Sequence, residues 1–448
     1  MITLRYEKGT LVVTSNFKLP HTVWDARSGV YRCLPLFYKE LTDYLQLSRL
    51  EYEDTVLDLP PMPQLTDAVK LRDYQTEALQ RWMCTNQGVL VLPTGAGKTI
   101  IAIKAIATLN VPTLVVVPTL ELVKQWQREL DARLGIETGT YSGESHILKP
   151  ITVATYDTAY LRAEELGNKF LLLVFDEVHH LPSPGYSTIA ELFVAPYRLG
   201  LTATYEREDG RHTDLERLLG GKIYEIGVEK LTGKHLAEYT TRKIVTDLTD
   251  TERVEYERYY VVFTDFLKTR RIVLRTPRDF QRFVMRTGRD PKAREALLAR
   301  NRARQIALNS RTKLDALAEI LTEHPGDRTI IFTEHNSLVY AISREFLIPA
   351  ITHTTPKEER AEILVKFRTG QYRTIVTSKV LEEGIDVPEA SVGVILSGSG
   401  SKREYKQRLG RILRKKEGKL AILYEIVSKG TTEIGISRRR KSTVTDSS

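Results

Sequence analysis

The sequence predicts an α/β protein with two parallel-sheet units in tandem, a small α+β segment ahead of them and a helical insert. Three observations carry that expectation. Short continuous apolar runs alternate with helical stretches twice, once over about 69–235 and again within 236–448. A proline cluster, Leu59-Pro60-Pro61-Met62-Pro63, breaks the chain ahead of the first alternation. A stretch crowded with arginine, about 250–305, lies near the start of the second unit.

Residues 1–60 open with alternating Ile2, Leu4 and Tyr6, then Lys8-Gly9 and Leu11-Val12-Val13, the pattern of a hairpin. Residues 36–47 are amphipathic and read as a helix. The prolines that follow can continue neither a helix nor a central strand, so a boundary falls there. In the first unit the runs Val89-Leu90-Val91-Leu92, Leu114-Val115-Val116-Val117 and Leu171-Leu172-Leu173-Val174-Phe175 are apolar throughout. Strands of that kind belong to a sheet covered on both faces. The second unit repeats the pattern at Thr329-Ile330-Ile331-Phe332, Thr374-Ile375-Val376, Val392-Gly393-Val394-Ile395-Leu396 and Ala421-Ile422-Leu423-Tyr424. The basic, polar end, 435–448, is expected to be disordered.

Length and composition agree with this plan. At roughly 150 residues per domain, 448 residues suggest about three domains. The net charge of +9 favours acidic partners such as nucleic acid or a membrane surface, and a solvated Lys/Arg-rich surface would give the same count. Two distant cysteines, Cys33 and Cys84, make neither a disulfide framework nor a metal cluster. The N-terminus has no apolar signal core and no 18-residue apolar run occurs anywhere. The expectation is a soluble intracellular protein of a reducing cytosol, not associated with membrane.

The chemistry concentrates after the first strand of the first unit. Pro93-Thr94-Gly95-Ala96-Gly97-Lys98-Thr99 follows a strand and opens a helix. Glycines let backbone N–H groups curl around phosphate oxygens, and the helix N-terminus adds a favourable dipole. Lys98 suits the β- and γ-phosphates and Thr99 suits Mg²⁺. Leu92 stands where the general pattern has its first glycine. Asp176-Glu177 then closes an apolar strand, at the edge where parallel sheets bind ligands. Asp176 suits Mg²⁺, and Glu177 suits orienting and deprotonating an attacking water. Together these residues point to hydrolysis of ATP. His179-His180 suggests either a metal ligand or a hydrogen-bonding, coupling role; no third His or Cys is near in sequence.

The whole set resembles the superfamily-2 helicases, most closely the archaeal XPB type, over residues 70–425. Arg72-Asp73-Tyr74-Gln75 resembles the family's adenine-reading motif, which gives Arg72 and Gln75 a nucleotide-binding role beside Thr94, Gly95, Ala96, Gly97, Lys98 and Thr99. Val117-Pro118-Thr119 and Ala154-Thr155-Tyr156 resemble its strand-gripping motifs, which implies nucleic-acid contact by Pro118, Thr119 and Thr155. Asp176-Glu177-Val178-His179 is similar to the DExH box. Gly200-Leu201-Thr202-Ala203-Thr204 resembles the coupling motif, so that Thr202, Thr204 and His179 would relay between sites. In the second unit Ile331-Phe332-Thr333, Thr377-Ser378-Lys379-Val380 and Gly384-Ile385-Asp386 resemble motifs IV and V. That implies nucleic-acid contact by Thr333, Thr377 and Ser378 and nucleotide contact by Gly384 and Asp386. Gln407-Arg408-Leu409-Gly410-Arg411-Ile412-Leu413-Arg414 is similar to motif VI. Spacing alone puts Gln407, Arg411 and Arg414 on one helical face, where they form a solvated stripe or neutralise charge on the γ-phosphate as arginine fingers do.

Arg207-Glu208-Asp209 resembles a motif of the XPB group, and the arginine-rich insert stands where that group carries its thumb. By charge alone, Arg207, Glu208 and Asp209 make a salt-bridged turn; the resemblance makes them a strand-separating contact. Thirteen Lys or Arg residues between Lys268 and Arg304, Arg270 and Arg271 among them, face only Asp279, Asp290 and Glu295. Phosphate contact accounts for such a run better than an ordinary surface does. Phe266, Phe280 and Phe283 are interleaved with it and suit core packing better than base stacking.

The resemblance implies two RecA-like motor domains, with residues 1–60 as a damage-recognition domain. It further implies an ATP- and Mg²⁺-dependent DNA helicase of 3′-to-5′ polarity in repair or duplex opening. DNA would be bound through its backbone with little sequence specificity, by a monomer or a complex with a nuclease or other repair protein. A double-strand translocase without unwinding, an RNA-directed motor and a nucleic-acid-binding scaffold with an inactive ATPase fold are the alternatives.

Overall fold

A computed structural model of the chain describes residues 1–143, 145–207, 209–232, 234, 238–378, 390–397 and 420–441. The chain divides between residues 236 and 237 into two compact units. Among the described residues no helix is long and apolar enough to cross a membrane.

The first unit holds two sheets. The N-terminal one comprises β1 (Ile2–Glu7), β2 (Thr10–Thr14), β3 (Val23–Asp25), β4 (Val30–Cys33) and β5 (Tyr52–Thr55), in the order β3-β4-β2-β1-β5. The expected hairpin is β1–β2, turned by Lys8 and Gly9, whose φ values of 46° and 80° match the tight turns that join twisted strands. The helix Tyr38–Leu47 covers the sheet with Tyr38, Leu41 and Leu45. This small sheet is fastened to the larger one. Val194 joins its core, and the Tyr6 hydroxyl lies 3.1 Å from the carbonyls of both Ala163 and Leu192. Gly167 is required there, because a Cβ would fall 2.0 Å from that hydroxyl.

The larger sheet contains β6 (Gln87–Val91), β7 (Thr113–Val117), β8 (Gly139–Ser142), β9 (Ser145–Ile147), β10 (Ile151–Thr155), β11 (Leu172–Asp176), β12 (Tyr197–Thr202) and β13 (Lys222–Glu225). Its order is β13-β6-β12-β11-β7-β10-β8-β9, and all pairs but β8–β9 are parallel. β7, β10 and β11 are buried at every residue; the apolar runs of β7 and β11 require it, and β10 buries Thr152 and Thr155 as well. β12 also carries Arg198, fully buried and with no carboxylate partner among the described residues. Its guanidinium donates at 2.8–3.0 Å to the carbonyls of Ala190, Phe193, Ala195 and Leu218. It thereby ties the helices Ser187–Leu192 and Asp214–Leu219 to the strand. Burial pushes its pKa down to about 10.

The second unit holds β14 (Glu238–Thr246), β15 (Thr329–Phe332), β16 (Ala350–Ile351), β17 (Thr374–Thr377), β18 (Val392–Ile395) and β19 (Leu420–Ser428), in the order β14-β19-β18-β15-β17-β16 and all parallel. The insert is three helices, Asp250–Thr269, Pro277–Arg286 and Pro291–Leu308. Capping boxes on Thr249 and Thr276 start the first two, and Asp290 caps the third. Ala293, Ala296, Ala299, Ala303 and Ala307 form a buried small-residue stripe that lets the first and third helices approach closely. Phe283 is core, with Phe263, Phe266 and Phe280 packed around it.

The expectation of disorder over 435–448 is corrected in its first part: Thr432–Lys441 is a helix. Near its start Glu433 meets the fully buried Lys313 at 2.5 Å, and Lys313 also donates to the carbonyl of Leu396 at 3.0 Å. A long-range carboxylate thus helps to order a segment whose composition reads as tail, together with the Thr432 N–H on the Tyr256 hydroxyl and the burial of Ile436. Residues 442–448 lie outside the described residues.

Arg198→Met is expected to leave four buried carbonyls without donors and to lower the stability of the first unit by at least about 3 kcal/mol. Denaturant unfolding followed by tryptophan fluorescence measures it. A loss below about 1 kcal/mol would mean that water reaches the site.

Candidate active site

The order of strands in the larger sheet places the candidate residues side by side. The C-terminal ends of β6, β12, β11, β7 and β10 follow one another across its edge. They deliver, in that sequence, the phosphate loop, Thr202–Thr204, Asp176-Glu177, Pro118-Thr119 and Thr155. Adjacent ends are level, since Val91 pairs with Thr202, Leu201 with Asp176, and Val117 with Thr155. Residues scattered over more than a hundred positions thereby share one row.

The phosphate loop is held from outside itself. Gly95 and Gly97 take φ values of 84° and 75°, which L side chains seldom adopt. A Cβ on Gly97 would lie 2.5 Å from Gln75 Nε2. The Ala96 carbonyl between them accepts from the Tyr74 hydroxyl at 2.8 Å and from Gln75 Nε2 at 3.0 Å. Gln75 Oε1 in turn accepts from the Arg72 backbone N–H at 2.9 Å. The helix Lys98–Leu109 begins directly behind, so the N–H groups of Lys98 and Thr99, which precede the first helical hydrogen bond from the Ile100 N–H to the Gly97 carbonyl, open onto the loop. Lys98 Nζ rests on the carbonyl of Leu92, 3.2 Å away. The Thr94 hydroxyl is buried with no hydrogen-bond partner among the described residues. A glycine cradle, free helix-start donors, a lysine and an unspent hydroxyl fit a triphosphate, and Thr99 and Asp176 are of the donor type magnesium takes.

Asp176 is buried, and both its oxygens have donors: Trp126 Nε1 at 2.8 Å on Oδ2 and the Glu177 N–H at 3.0 Å on Oδ1. Burial pushes its pKa up, against the pull of the Trp126 N–H, the Lys98 charge and the Glu177 N–H. Its own carbonyl accepts from the Tyr156 hydroxyl at 3.1 Å. Glu177 takes a left-handed backbone, φ 47°. His179 Nδ1 lies 3.4 Å from its carboxylate and 3.1 Å from the Thr202 hydroxyl. That hydroxyl donates to the Thr204 carbonyl at 2.8 Å, so His179 Nδ1 is the donor towards Thr202. A relay through His179 therefore has a physical path, and the metal reading of this histidine loses its Nδ1.

The two candidate grips connect to the same carboxylate. Thr119 caps the helix Leu120–Leu134 that carries Trp126, and Thr155 caps the short helix that begins at Tyr156. Both side chains that touch Asp176 thus start from residues expected on nucleic acid. Arg207 adds a third connection. It grips Asp209 with two nitrogens, at 2.9 and 2.7 Å, and donates through Nη1 to the His179 carbonyl. The Arg207 hydrogen bonds hold the Asp209 pKa below the usual carboxylate range. The loop is a salt-bridged turn that also reaches the DExH segment; Glu208 lies outside the described residues.

In the second unit Thr333 and Thr377 end neighbouring strands, and the Thr333 N–H donates to the Thr377 carbonyl at 2.9 Å. Thr333, Thr377 and Ser378 are buried, so this edge offers backbone rather than hydroxyls. Arg270 and Arg271 stand exposed just after the helix Asp250–Thr269. Arg304, counted above with the cations expected on phosphate, is turned to Glu334 instead. Gly384, Asp386, Gln407, Arg411 and Arg414 lie outside the described residues. Sequence reasoning missed Trp126 and Tyr156 as supports of Asp176. No local pattern marks them, although Trp126 stands seven residues past a helix cap on the apolar face of an otherwise charged helix.

Comparisons with known proteins agree with this organisation. Three family models match: "Xeroderma pigmentosum group B helicase damage recognition domain" over residues 4–56, "Type III restriction enzyme, res subunit" over 68–207 and "ERCC3/RAD25/XPB C-terminal helicase" over 297–448. A DNA 3'-5' translocase XPB2 of Sulfurisphaera tokodaii is 47% identical, over 98% of this chain and 100% of that one. A DNA 3'-5' helicase XPB of Mycobacterium tuberculosis is 32% identical, over 83% of this chain and 63% of that one. The Drosophila melanogaster general transcription and DNA repair factor IIH helicase/translocase subunit XPB is 28% identical, and the match covers 92% of this chain and 50% of that protein. The fold is similar to that of the Pyrococcus furiosus Hef helicase domain, with a TM-score of 0.54 at 20% identity over 82% of this chain and 97% of that one.

Gly97→Ala is expected to weaken binding of a fluorescent ATP analogue by about tenfold or more, because the new Cβ both strains the left-handed turn and displaces Gln75. Titration of the analogue measures it. An unchanged affinity would show that the loop binds phosphate in another conformation.

Proposed function

The chain belongs to the XPB family of superfamily-2 helicases, and from that premise we propose that it is a DNA-dependent ATPase that moves 3′ to 5′ and opens or remodels duplex DNA, in excision repair or transcription-linked opening. The observation that carries this reading is the convergence on Asp176 of the phosphate-loop row and of both grip-bearing segments. An ATPase whose catalytic carboxylate is braced by groups that hold nucleic acid is suited to being stimulated by it.

In this reading Arg72 and Gln75 take the adenine. Thr94 through Thr99 take the β- and γ-phosphates. Magnesium, held by Thr99 and Asp176, would supply neutralisation of phosphate charge. Glu177 orients a water and accepts its proton as the water oxygen attacks the γ-phosphorus. The bond to the β-bridging oxygen breaks, and ADP and phosphate result. His179, Thr202 and Thr204 relay the state of this site along the sheet edge. Gly384 and Asp386 complete the nucleotide contacts, and Gln407, Arg411 and Arg414 neutralise the γ-phosphate as arginine fingers. Pro118, Thr119, Thr155, Thr333, Thr377 and Ser378 grip the backbone of one strand. Arg207 with Asp209 meets the strand junction, and Arg270, Arg271 and the exposed cations of the insert hold the duplex. We place the protein in the cytoplasm, with a nuclease or other repair protein as its partner.

Translocation on duplex DNA without strand separation is the second reading, favoured by the word translocase in the name of the Sulfurisphaera relative. Duplex-stimulated ATPase alongside strand displacement on a forked substrate separates the two.

Glu177→Gln is expected to bind ATP as tightly as the natural chain and to lose about a hundredfold or more in turnover. Parallel nucleotide binding and phosphate release measure this, and normal turnover would remove Glu177 from the base role. DNA affinity is expected to fall by about a thousandfold between 50 and 200 mM salt if six phosphates are contacted. An affinity flat over that range would sink the electrostatic account of the insert.

A further inference from the structure

Arg304 lies near the C-terminal end of the helix Pro291–Leu308, between Ala303 and Ala307, which pack against Leu248 and Tyr256. That end of the helix is built into the second sheet. The Ser428 hydroxyl, at the end of β19, donates to the Ala307 carbonyl at 2.9 Å, and the Tyr256 hydroxyl accepts from the Thr432 N–H at 3.2 Å. From here Arg304 Nη2 reaches both oxygens of Glu334, at 2.8 and 2.6 Å. The two side chains retain 26% and 10% of their exposure, so this is a shielded pair and not a rim contact. Glu334 stands two residues past the end of β15, and its own N–H donates to the buried Ser397 hydroxyl at 2.8 Å. Ser397 stands two residues past the end of β18, the strand beside β15, and leads in sequence to the Gln407–Arg414 segment.

A line of contact therefore runs from the insert through Arg304 and Glu334 to Ser397, across two neighbouring strand ends. The exposed cations of the same insert point elsewhere: Arg282 keeps 81% exposure. The basic insert thus carries arginines open to solvent, such as Arg282, and one, Arg304, spent on the motor sheet.

We propose that the Arg304–Glu334 pair is the linkage that passes movement between the C-terminal edge of the second sheet and the DNA-holding insert. The proposal rests on the motor reading given above. Arg304 is a positioning residue: it acts through Glu334 and touches no DNA. Breaking the pair uncouples hydrolysis from movement while hydrolysis and DNA binding continue.

The test uses the full chain with Arg304→Gln, Glu334→Gln, the reversed pair R304E/E334R, and Arg282→Gln for comparison. DNA-stimulated ATP hydrolysis, displacement of a third strand from a triplex, and the salt dependence of DNA affinity are measured for each. Both single variants are expected to hydrolyse ATP at close to the natural rate but to displace about fivefold less strand per ATP, with the reversed pair regaining most of the loss. The salt slope stays unchanged in Arg304→Gln, whereas Arg282→Gln lowers it by about 0.9. Natural displacement per ATP in the single variants overturns the linkage, and so does a reversed pair that restores nothing. A salt slope lowered by about 0.9 in Arg304→Gln makes it a phosphate contact and also overturns it. Should Arg304→Gln melt early, Arg304→Lys, which keeps the charge without the two-oxygen grip, must show a smaller loss of coupling than Glu334→Gln, or the proposal fails. Absence of any DNA-stimulated hydrolysis in the natural chain would instead defeat the motor reading on which all of this stands.

Discussion

A carboxylate can be kept at the buried end of a parallel strand only if its oxygens are given donors, and how Asp176 is given them organises the first unit. One donor is the next backbone N–H, that of Glu177, whose own backbone is left-handed. The other is the indole of Trp126, brought from a helix that starts at Thr119. Leaving Oδ2 without it would cost about 1–3 kcal/mol in so dry a place. The requirement therefore fixes where the helix after β7 lies. That helix start and the one after β10, whose Tyr156 holds the Asp176 carbonyl, are the segments expected on nucleic acid. Burial, hydrogen-bond satisfaction and the communication between sites are here one constraint.

The second unit meets a related problem with charge pairs. Lys313 is wholly buried, and the loss of hydration is offset by Glu433 and the Leu396 carbonyl. Such a pair adds little net stability, since desolvation consumes most of the attraction, but removing one partner is costly. What it supplies is registration: a C-terminal helix that is nearly all polar on its exposed side is held in a single place. Glu433 also accepts the Ser428 N–H at 2.9 Å, so the end of β19 and the helix after it are set by the same carboxylate.

The sheets were legible because a strand covered on both faces must be apolar at every residue, and runs such as Leu171 to Phe175 leave few other readings. The phosphate loop and Asp176-Glu177 were legible because glycine at left-handed turns and carboxylates after a strand are local signatures. What stayed hidden is what depends on distance in sequence. Trp126 is fifty residues from Asp176, and Lys313 is 120 from Glu433. Arg198 reads as a charge interrupting a strand, and only the four carbonyls gathered around it explain its place. β14 was missed for another reason. As an edge strand it shows the mixed pattern of Glu238–Thr246, and only pairing with β19 along its whole length identifies it. The last helix was expected as disorder because composition carries no trace of the carboxylate that helps to anchor it.

The basic insert shows how packing decides where charge goes. Its first and third helices meet where aromatic side chains of the first, Tyr256 and Phe263, pack on a stripe of alanines of the third, which leaves no room for long charged side chains between them. Phe263 and Phe283 fill the space where the second helix crosses, and Arg300 lies over the Phe280 ring at 4.5 Å. Every other cation is thereby driven outward or to a carboxylate at the base. A surface made in this way carries a strong field with no fixed geometry for base edges, because long exposed side chains are not held to a single rotamer. Such a field attracts phosphate and steers approach but has no means of reading sequence. The indifference to sequence proposed above would thus follow from how the insert packs, and it is the property a motor needs if each step along the strand is to resemble the last.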